Sequence, residues 1–492
     1  MQYYAIPIVS TGVIALLAGR LWTTARKRRA WRANVTNNAD ISSQPYQSWP
    51  WTKDARLTLG LSGVTALQIF ASFCIQSIVI AGIGVGAESD ALYAGATLWQ
   101  LVTGIAVDPF SYAVVPLLAP KREQELRQDG WQIFLAASFI ALGISVLLAL
   151  AIPLLVPLMV PGFSGAQKGL AIRLSEIQVW GIVGTAAYAQ LTGLYQVRNR
   201  FFWPPIAMLI CSVAGLAVLV WKLPVYGVTL AAWVQLFVMI IPALLLIRVL
   251  GQPTLRLDLE PVKQLWRQMR PIMFGSAYYK SGVLADRWLG SFLAPGSIVI
   301  LDFVQRTYLA VTRVMNQGIV TPIVPQLARL ASEQDWHGLR ALHRRKLKEM
   351  FFINAAIVAG LVALRAGSNH LAFASGIHIA NVDPGAIHQI ITAFVSMSGL
   401  LLCSGLNHSF TMAYYAQGNT ITPTKIWTLT WTLGLGGKVV GFLLAGLTGI
   451  AVSISLQSMI NCILLWTFWK PGLAGVVAEQ RKQLSGVGVS GA

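Results

Sequence analysis

Asp302, Arg306 and Arg313 stand in the otherwise apolar stretch "GSFLAPGSIVILDFVQRTYLAVTRV", residues 290 to 314. At helical spacing they fall at i, i+4 and i+11, so one side of a single helix carries an acid and two guanidinium groups. The preceding segment, "AYYKSGVLADRWLG", sets Lys280 and Arg287 seven residues apart on one face, with Asp286 beside Arg287. Four cations against two acids leave a positive surplus, which suits an anionic head group such as a pyrophosphate: arginine grips it bidentately and lysine as a point charge. A second reading is internal pairing, Asp302 with Arg306 and Asp286 with Arg287 or Lys280, the remaining cations reaching towards an interface. Lys438, in "LGLGGKVVGFLL", has no acid in its own span and suits contact with cargo or a lipid phosphate, or snorkelling to the surface. Asp108, before Pro109, suits either capping of the backbone break that proline makes or ligation of a coupling ion.

The elements that carry these charges are transmembrane. Of 492 residues, 55% are hydrophobic and 11% charged, and several apolar runs reach the roughly 20 residues needed to cross a bilayer. An ionised group at the bilayer centre costs about 2.5 to 3.5 kcal/mol on insertion scales, so the charges above must face a watery cavity or a partner. The net charge of +19 would suggest nucleic acid in a soluble chain. Here the basic residues gather in loops between apolar runs, as the positive-inside rule requires, and no nucleic-acid partner is expected. Cys74, Cys211, Cys403 and Cys462 all fall in apolar segments without metal-ligand spacing and read as packing residues.

Thirteen spans are expected, making an all-α polytopic membrane protein. The first, from about 3 to 21, has its basic run behind it, the reverse of a cleavable signal peptide, and reads as an anchor with its N-terminus outside. Residues 1–56 thus form an anchor and a basic and polar cytoplasmic linker; 57–250 and 251–470 form two lobes of six spans each; 471–492 form a disordered cytoplasmic tail. The twelve core spans run at about 57–83, 90–119, 131–160, 172–195, 204–222, 226–249, 270–293, 298–326, 350–367, 387–416, 424–444 and 448–469. Every second loop is basic, from Lys121 and Arg122 through Arg198 and Arg200 to the Arg340–Lys348 cluster, which fixes the expected topology.

The lobes echo one another. "AVVPLLAPKREQE" (113–125) is answered by "PIVPQLARLASEQ" (322–334), and "YQVRNRFFWPP" (195–205) by "YAQGNTITPTK" (415–425), pairing Tyr195 with Tyr415 and Asn199 with Asn419. Six spans separate the copies, so the halves share one orientation, a transporter layout with the substrate site between them.

These residues carry a family resemblance. "GVGAESDALYAGATL" (84–98), "VPGF" (160–163), "SFLAPGSIVILDFVQR" and its downstream "VTPIVPQLARLASEQD" resemble the MurJ/MviN group of lipid II flippases, within the multidrug, oligosaccharidyl-lipid and polysaccharide (MOP) exporter superfamily. The resemblance covers about 57–470. It implies two six-helix bundles around a central cavity, alternating between inward-open and outward-open forms, with an undecaprenyl-pyrophosphate-linked sugar as cargo. The family's acid after the Gly-rich turn matches Asp90, which is expected to serve in charge pairing or ion coupling, and its cavity arginine early in the eighth core helix matches Arg306. The arginines it usually places in the first two core helices fall here on Ile69, Ile75 and Thr103, and the N-terminal anchor has no counterpart in the core pattern.

No catalytic constellation is present: no paired-histidine metal motif, nucleophile elbow, phosphate loop or dinucleotide fingerprint, so no enzyme activity, metal or cofactor is expected. The leading expectation is a flippase for a polyprenyl-(pyro)phosphate-linked saccharide in the bacterial cytoplasmic membrane, with the C-terminus cytoplasmic. Its partners would be the glycan lipid, membrane lipids, and glycosyltransferases or a polymerase of the same pathway. Two alternatives stay open: an ion-coupled small-molecule exporter of the same superfamily, with Asp108, Asp286 or Asp302 as the exchanging acid, and a non-transporting assembly protein of a glycan-secretion machine.

Overall fold

The computed structural model describes residues 51–119, 121–252, 260–374, 384–419 and 421–469. The expected anchor, most of the linker and the tail lie outside the described residues, as does the side chain of Asp108. The first lobe comprises α1 (Trp51–Ile83), α2 (Ala87–Val102), α3 (Asp108–Leu118), α4 (Glu123–Met159), α5 (Gly165–Gln178), α6 (Gly181–Val197) and α7 (Trp203–Leu246). The second comprises α8 (Glu260–Gly290), α9 (Ser297–Met315), α10 (Thr321–Ser332), α11 (Trp336–Ala374), α12 (Pro384–Ser396), α13 (Ser398–Ala416) and α14 (Ile421–Phe468). No strand occurs among the described residues.

Six of these helical stretches are individually long and apolar enough to cross a membrane. Two of the six, α7 and α14, each hold two of the expected spans, folded back at a single left-handed glycine: Gly227 at φ 58° and Gly446 at φ 55°. A side chain is strained at such a φ, so one glycine suffices for a turn. In the α14 hairpin, a Cβ on Gly449 would fall 1.8 Å from the carbonyl oxygen of Gly441, so the two arms meet backbone to backbone. The bundle's outer face is greasy, with Leu147, Leu150, Leu154 and Leu158 of α4 all exposed. In water that stripe would be an aggregation surface; in a bilayer it faces hydrocarbon.

The repeat appears in backbone detail. The second span of each lobe is interrupted by one π-helical turn, Thr103–Val107 and Asn316–Val320, each followed by a residue and a proline. Proline cannot donate to the carbonyl a turn earlier, and a π turn takes up the mismatch. Helices α6 and α13 end in the same left-handed cap: Arg200 N donates to Tyr195 O (2.8 Å) with Asn199 at φ 56°, and Asn419 N to Tyr414 O (3.0 Å) with Gly418 at φ 72°. Tyr195 therefore matches Tyr414 and Asn199 matches Gly418, one residue away from the register read off the sequence. Asn419 does different work, its Oδ1 accepting from Thr422 N (3.1 Å) at the start of α14.

The expected span 172–195 is two helices, α5 and α6, parted at Val179 and Trp180. The break lets α6 lie directly on α7: a Cβ on Gly184 would sit 2.7 Å from Met239 O. The lobes are not independent blocks. The first half of α8 runs along α3 and α4, and its Leu265 and Met269 join the core formed by Phe110, Val114, Leu126 and Leu250.

Candidate functional site

The two ends of the bundle differ. One carries the basic loops; the other, where α1 meets α2 and α8 meets α9, is short-looped and glycine-rich. At the glycine-rich end the lobes are pinned together. Asp90 of α2 is 1% exposed and accepts from Gly296 N (2.7 Å) and Val299 N (2.8 Å), so a carboxylate of the first lobe caps the N-terminus of α9 in the second. Charge, free amides and helix dipole all favour that contact. Gly296, at φ +96°, leaves no room for a Cβ, which would fall 2.5 Å from Val85 Cγ1. Gly162 N donates to Ser291 Oγ (3.2 Å) nearby. Asp90, expected as a charge-pairing or ion-coupling acid, thus spends both oxygens on backbone amides.

Deeper in, the acids and cations resolve into two groups. Asp302 pairs with both Arg287 and Arg306. Arg287 is 2% exposed and also donates through Nε to Thr97 Oγ1 (3.1 Å) of α2. Arg306, with a side chain 35% exposed, reaches Gln100 Oε1 (3.0 Å) of α2 and lies over the Tyr93 ring. Tyr93, Thr97 and Gln100 form one stripe of α2, so the first lobe holds both arginines of the second by uncharged groups.

Arg306 and Arg313 line a cleft of about 350 Å³ between α1 and α9. Arg313 is exposed there and makes no ion pair among the described residues. The facing wall is Gln68, Ser72 and Gln76 at i, i+4 and i+8, with Ile69 among them, and Phe73 stacks on Phe303 at 5.7 Å across the cleft. Ile75 is instead packed in the core and Thr103 buried in the π turn, its hydroxyl donating to Gln100 O (3.1 Å). Among the described residues no cation of α1 lines the cleft; its side carries the amides and hydroxyl of Gln68, Ser72 and Gln76 beside Ile69 and Phe73.

Lys280, Lys438 and Asp286 belong to a second chamber, a recess of about 230 Å³ between α8, α13 and α14. Lys438 is 4% exposed and pairs with Asp286 at 2.7 Å, while Gln305 Nε2 donates to the same carboxylate (3.2 Å). Both pairings read from sequence for Asp286 are therefore replaced: its partner comes from α14, because helix packing and not chain proximity sets what a buried carboxylate meets. Lys438 does not snorkel to the surface. Lys280 crosses towards the first lobe, where a Cβ on Gly104 would fall 2.5 Å from its Nζ. The recess and the cleft share Leu309 as a common rim.

The residues that sequence reasoning missed are Gln68, Ser72, Gln76, Thr97 and Gln100. Their signal was present in the first three, a polar stripe at helical spacing within an apolar span, but carried no charge to draw attention to it. Among the described residues no cluster of three His, Cys, Asp or Glu side chains could hold a metal.

The model for the family "Lipid II flippase MurJ" matches residues 79–483. A probable lipid II flippase MurJ from Synechocystis sp. is 23% identical over 352 residues, 65% of this chain and 64% of that protein. One from Vibrio cholerae is 24% identical over 240 residues, 49% and 45% of the two chains. The matched part thus spans less than two thirds of either relative. Among solved structures, a lipid II flippase MurJ in an inward closed conformation superposes with a TM-score of 0.71 at 19% identity, covering 83% of this chain and 87% of that one. An inward-facing multidrug MATE transporter of the MOP superfamily gives 0.63 at 15%, covering 86% and 96%. The structural likenesses show that the fold is shared with these two proteins.

Proposed function

The chain belongs to the lipid II flippase MurJ family, and from that premise we propose that it turns a polyprenyl-(pyro)phosphate-linked saccharide from the inner to the outer leaflet of a bacterial cytoplasmic membrane. It works as a transporter and not as a catalyst. The observation that carries the reading is the cleft between α1 and α9, where Arg313 and the half-exposed Arg306 project between the lobes at a site closed from the glycine-rich end. A phosphate entering it finds two guanidiniums, only one of them answered by an acid, and a facing row of neutral amides and hydroxyls that donate without adding charge.

In this reading the basic loops face the cytoplasm, as the positive-inside rule has it, with the N-terminus outside and the C-terminus inside. Cargo enters from that side; release outward requires the Asp90 cap on α9 and the Gly162–Ser291 contact to part. Arg287 serves this cycle by position, not by touching cargo, since Asp302 and Thr97 occupy it in the core. Glycosyltransferases or a polymerase of the same pathway supply or consume the cargo.

The exporter alternative takes its support from the MATE likeness, but it asks for an acid free to exchange a proton or ion. Asp302 and Asp286 are each held by cations and Asp90 by backbone amides, which leaves Asp108, whose side chain lies outside the described residues, as the acid that reading would need. A leaflet-access assay of a lipid-linked oligosaccharide, in cells depleted of the protein and complemented with variants, tests the proposal. Arg313→Ala and Arg306→Ala are expected to lose translocation while inserting normally, and normal translocation by both overturns the head-group role.

A further inference from the structure

At the basic end of the bundle, α11 carries five cations, Arg340, Arg344, Arg345, Lys346 and Lys348, against one acid, Glu349, and none of them enters the cleft or the recess. The helix folds the charges outward because its other face is taken. Leu339, His343, Met350 and Asn354 are buried at i, i+4, i+11 and i+15, where Leu339 joins Leu327 of α10 and Ala413 of α13, and Met350 joins Leu406 of α13. The free face presents Ala341, Arg344, Arg345 and Lys348 around a groove that Glu349 and Phe352 complete. Glu349 is engaged by Arg345 (3.2 Å) and Lys346 (2.6 Å). Arg344 and Lys348, both exposed and one turn apart, make no ion pair among the described residues.

The positive-inside rule does not account for this arrangement, since it asks only for cations in the loops and not for their placement on a packed helix. In the basic loops of the first lobe acids answer: Lys121 pairs with Asp129, and Arg127 and Arg198 share Glu123. On α11 the charged face instead runs straight into an apolar span. Phe351, Phe352 and Ile353 are exposed, and the helix is long and apolar enough to cross a bilayer. Phe352 follows Lys348 by one turn, about 6 Å along the axis, so with the ring at the edge of the hydrocarbon both cations stand at the depth of the lipid head groups. A phosphodiester there is gripped bidentately by the guanidinium and as a point charge by the ammonium. A zwitterionic lipid brings its own cation to the same place and loses part of that attraction. A soluble polyanion would have to displace the head groups to reach the groove, whereas a lipid of the same leaflet meets the cations and the ring together.

We propose that this face of α11 is a binding site for an anionic phospholipid, its phosphodiester held by Arg344 and Lys348 and an acyl chain laid along Phe352. The site is independent of the cargo and requires only that α11 cross the bilayer. It would hold the second lobe to the head groups of one leaflet through a helix whose buried face packs on α10 and α13.

The full chain in phosphatidylcholine nanodiscs is irradiated with trace photoreactive phosphatidylglycerol or, separately, photoreactive phosphatidylcholine, and adducts on residues 341–352 are measured by mass spectrometry. Both leaflets carry the probe, so the result does not depend on which way the chain is inserted. Wild type is expected to give about ten-fold more adduct from phosphatidylglycerol, near the factor that two cations at a membrane surface supply. The variant Arg344→Gln/Lys348→Gln is expected to bring the two probes within about two-fold of each other. The exchange Arg344→Lys/Lys348→Arg, which keeps both charges, is expected to retain the preference. Equal labelling by the two probes in wild type, or a preference that survives the double glutamine variant, overturns the site. Loss of the preference in the exchange variant overturns its basis in charge. Wild type without a preference, together with a glutamine variant that fails to support growth of depleted cells, assigns the face to a protein partner and overturns the lipid.

Discussion

In the cleft between the lobes, Asp302 answers two arginines and Arg313 stands beyond them with no ion pair among the described residues; in the recess of the second lobe, Asp286 answers Lys438 one to one. The two sites use the same residue types and lie on either side of Leu309, and each holds a further cation beside its ion pairs, Arg313 in the cleft and Lys280 in the recess. What separates them is stoichiometry and water. A two-to-one cluster whose Arg306 side chain is 35% exposed keeps a cation available, whereas the one-to-one pair of Lys438 and Asp286, both buried, is a neutral dipole whose removal by halves is costly.

That contrast can be broken first at the acids and cations themselves. Lys438→Met strands the Asp286 carboxylate in the recess and is expected to destabilise the folded protein by about 3 to 5 kcal/mol, read as a lowered melting temperature in detergent. The double variant Lys438→Met/Asp286→Leu is expected to recover most of that loss, which a site needing its charge for folding would not do. Asp302→Ala is expected to cost a similar ~3 to 5 kcal/mol because Arg287 is then buried without a partner, whereas Arg313→Ala leaves the melting temperature unchanged and lowers translocation at least ten-fold. A melting temperature that moves equally in all of these would erase the distinction between the sites.

Smaller effects sharpen the comparison at its closed end. Asp90→Asn keeps one acceptor for the α9 amides but loses the charge, and is expected to cost about 0.3 to 1 kcal/mol of that interlobe contact. Labelling of Ser291→Cys by an impermeant maleimide, in a background lacking the four native cysteines, is expected to rise several-fold. Gly296→Ala forces a side chain into the left-handed region against Val85 and is expected to weaken the same seam by about 1 to 2 kcal/mol, with the same rise in labelling.

Much of the scaffold was legible because bilayer thickness and backbone chemistry leave few options: apolar runs of fixed length, basic loops on alternate sides, glycine and proline at the breaks. Gly446 sits in the gap read between 444 and 448, and Gly227 falls just inside the span read from 226. The charged residues of the site were also legible, since an ionised group in an apolar run is conspicuous by cost alone. Their partners were not. Asp286 looked set for Arg287 or Lys280, its neighbours along α8, and found Lys438, because a helix face is chosen by tertiary packing and neighbours in sequence point elsewhere. Asp90 stood out only as the match to the family's acid after the Gly-rich turn and is a helix cap for the other lobe, a role set by where Gly296 lies, more than two hundred residues away. Gln68, Ser72 and Gln76 are ordinary in type and become notable only once α9 is seen opposite them.

The paired π turns, Thr103–Val107 and Asn316–Val320, have an effect on heredity as much as on mechanics. Each amounts to one inserted residue, so deleting a single codon there would rotate everything downstream in that helix by about 100°, swinging Val114 and Leu118 in one half, or Ile323 and Leu327 in the other, out of their cores. An insertion that cannot be lost in either copy without scrambling a core is a ratchet, so the matching turns would be held in place in both halves.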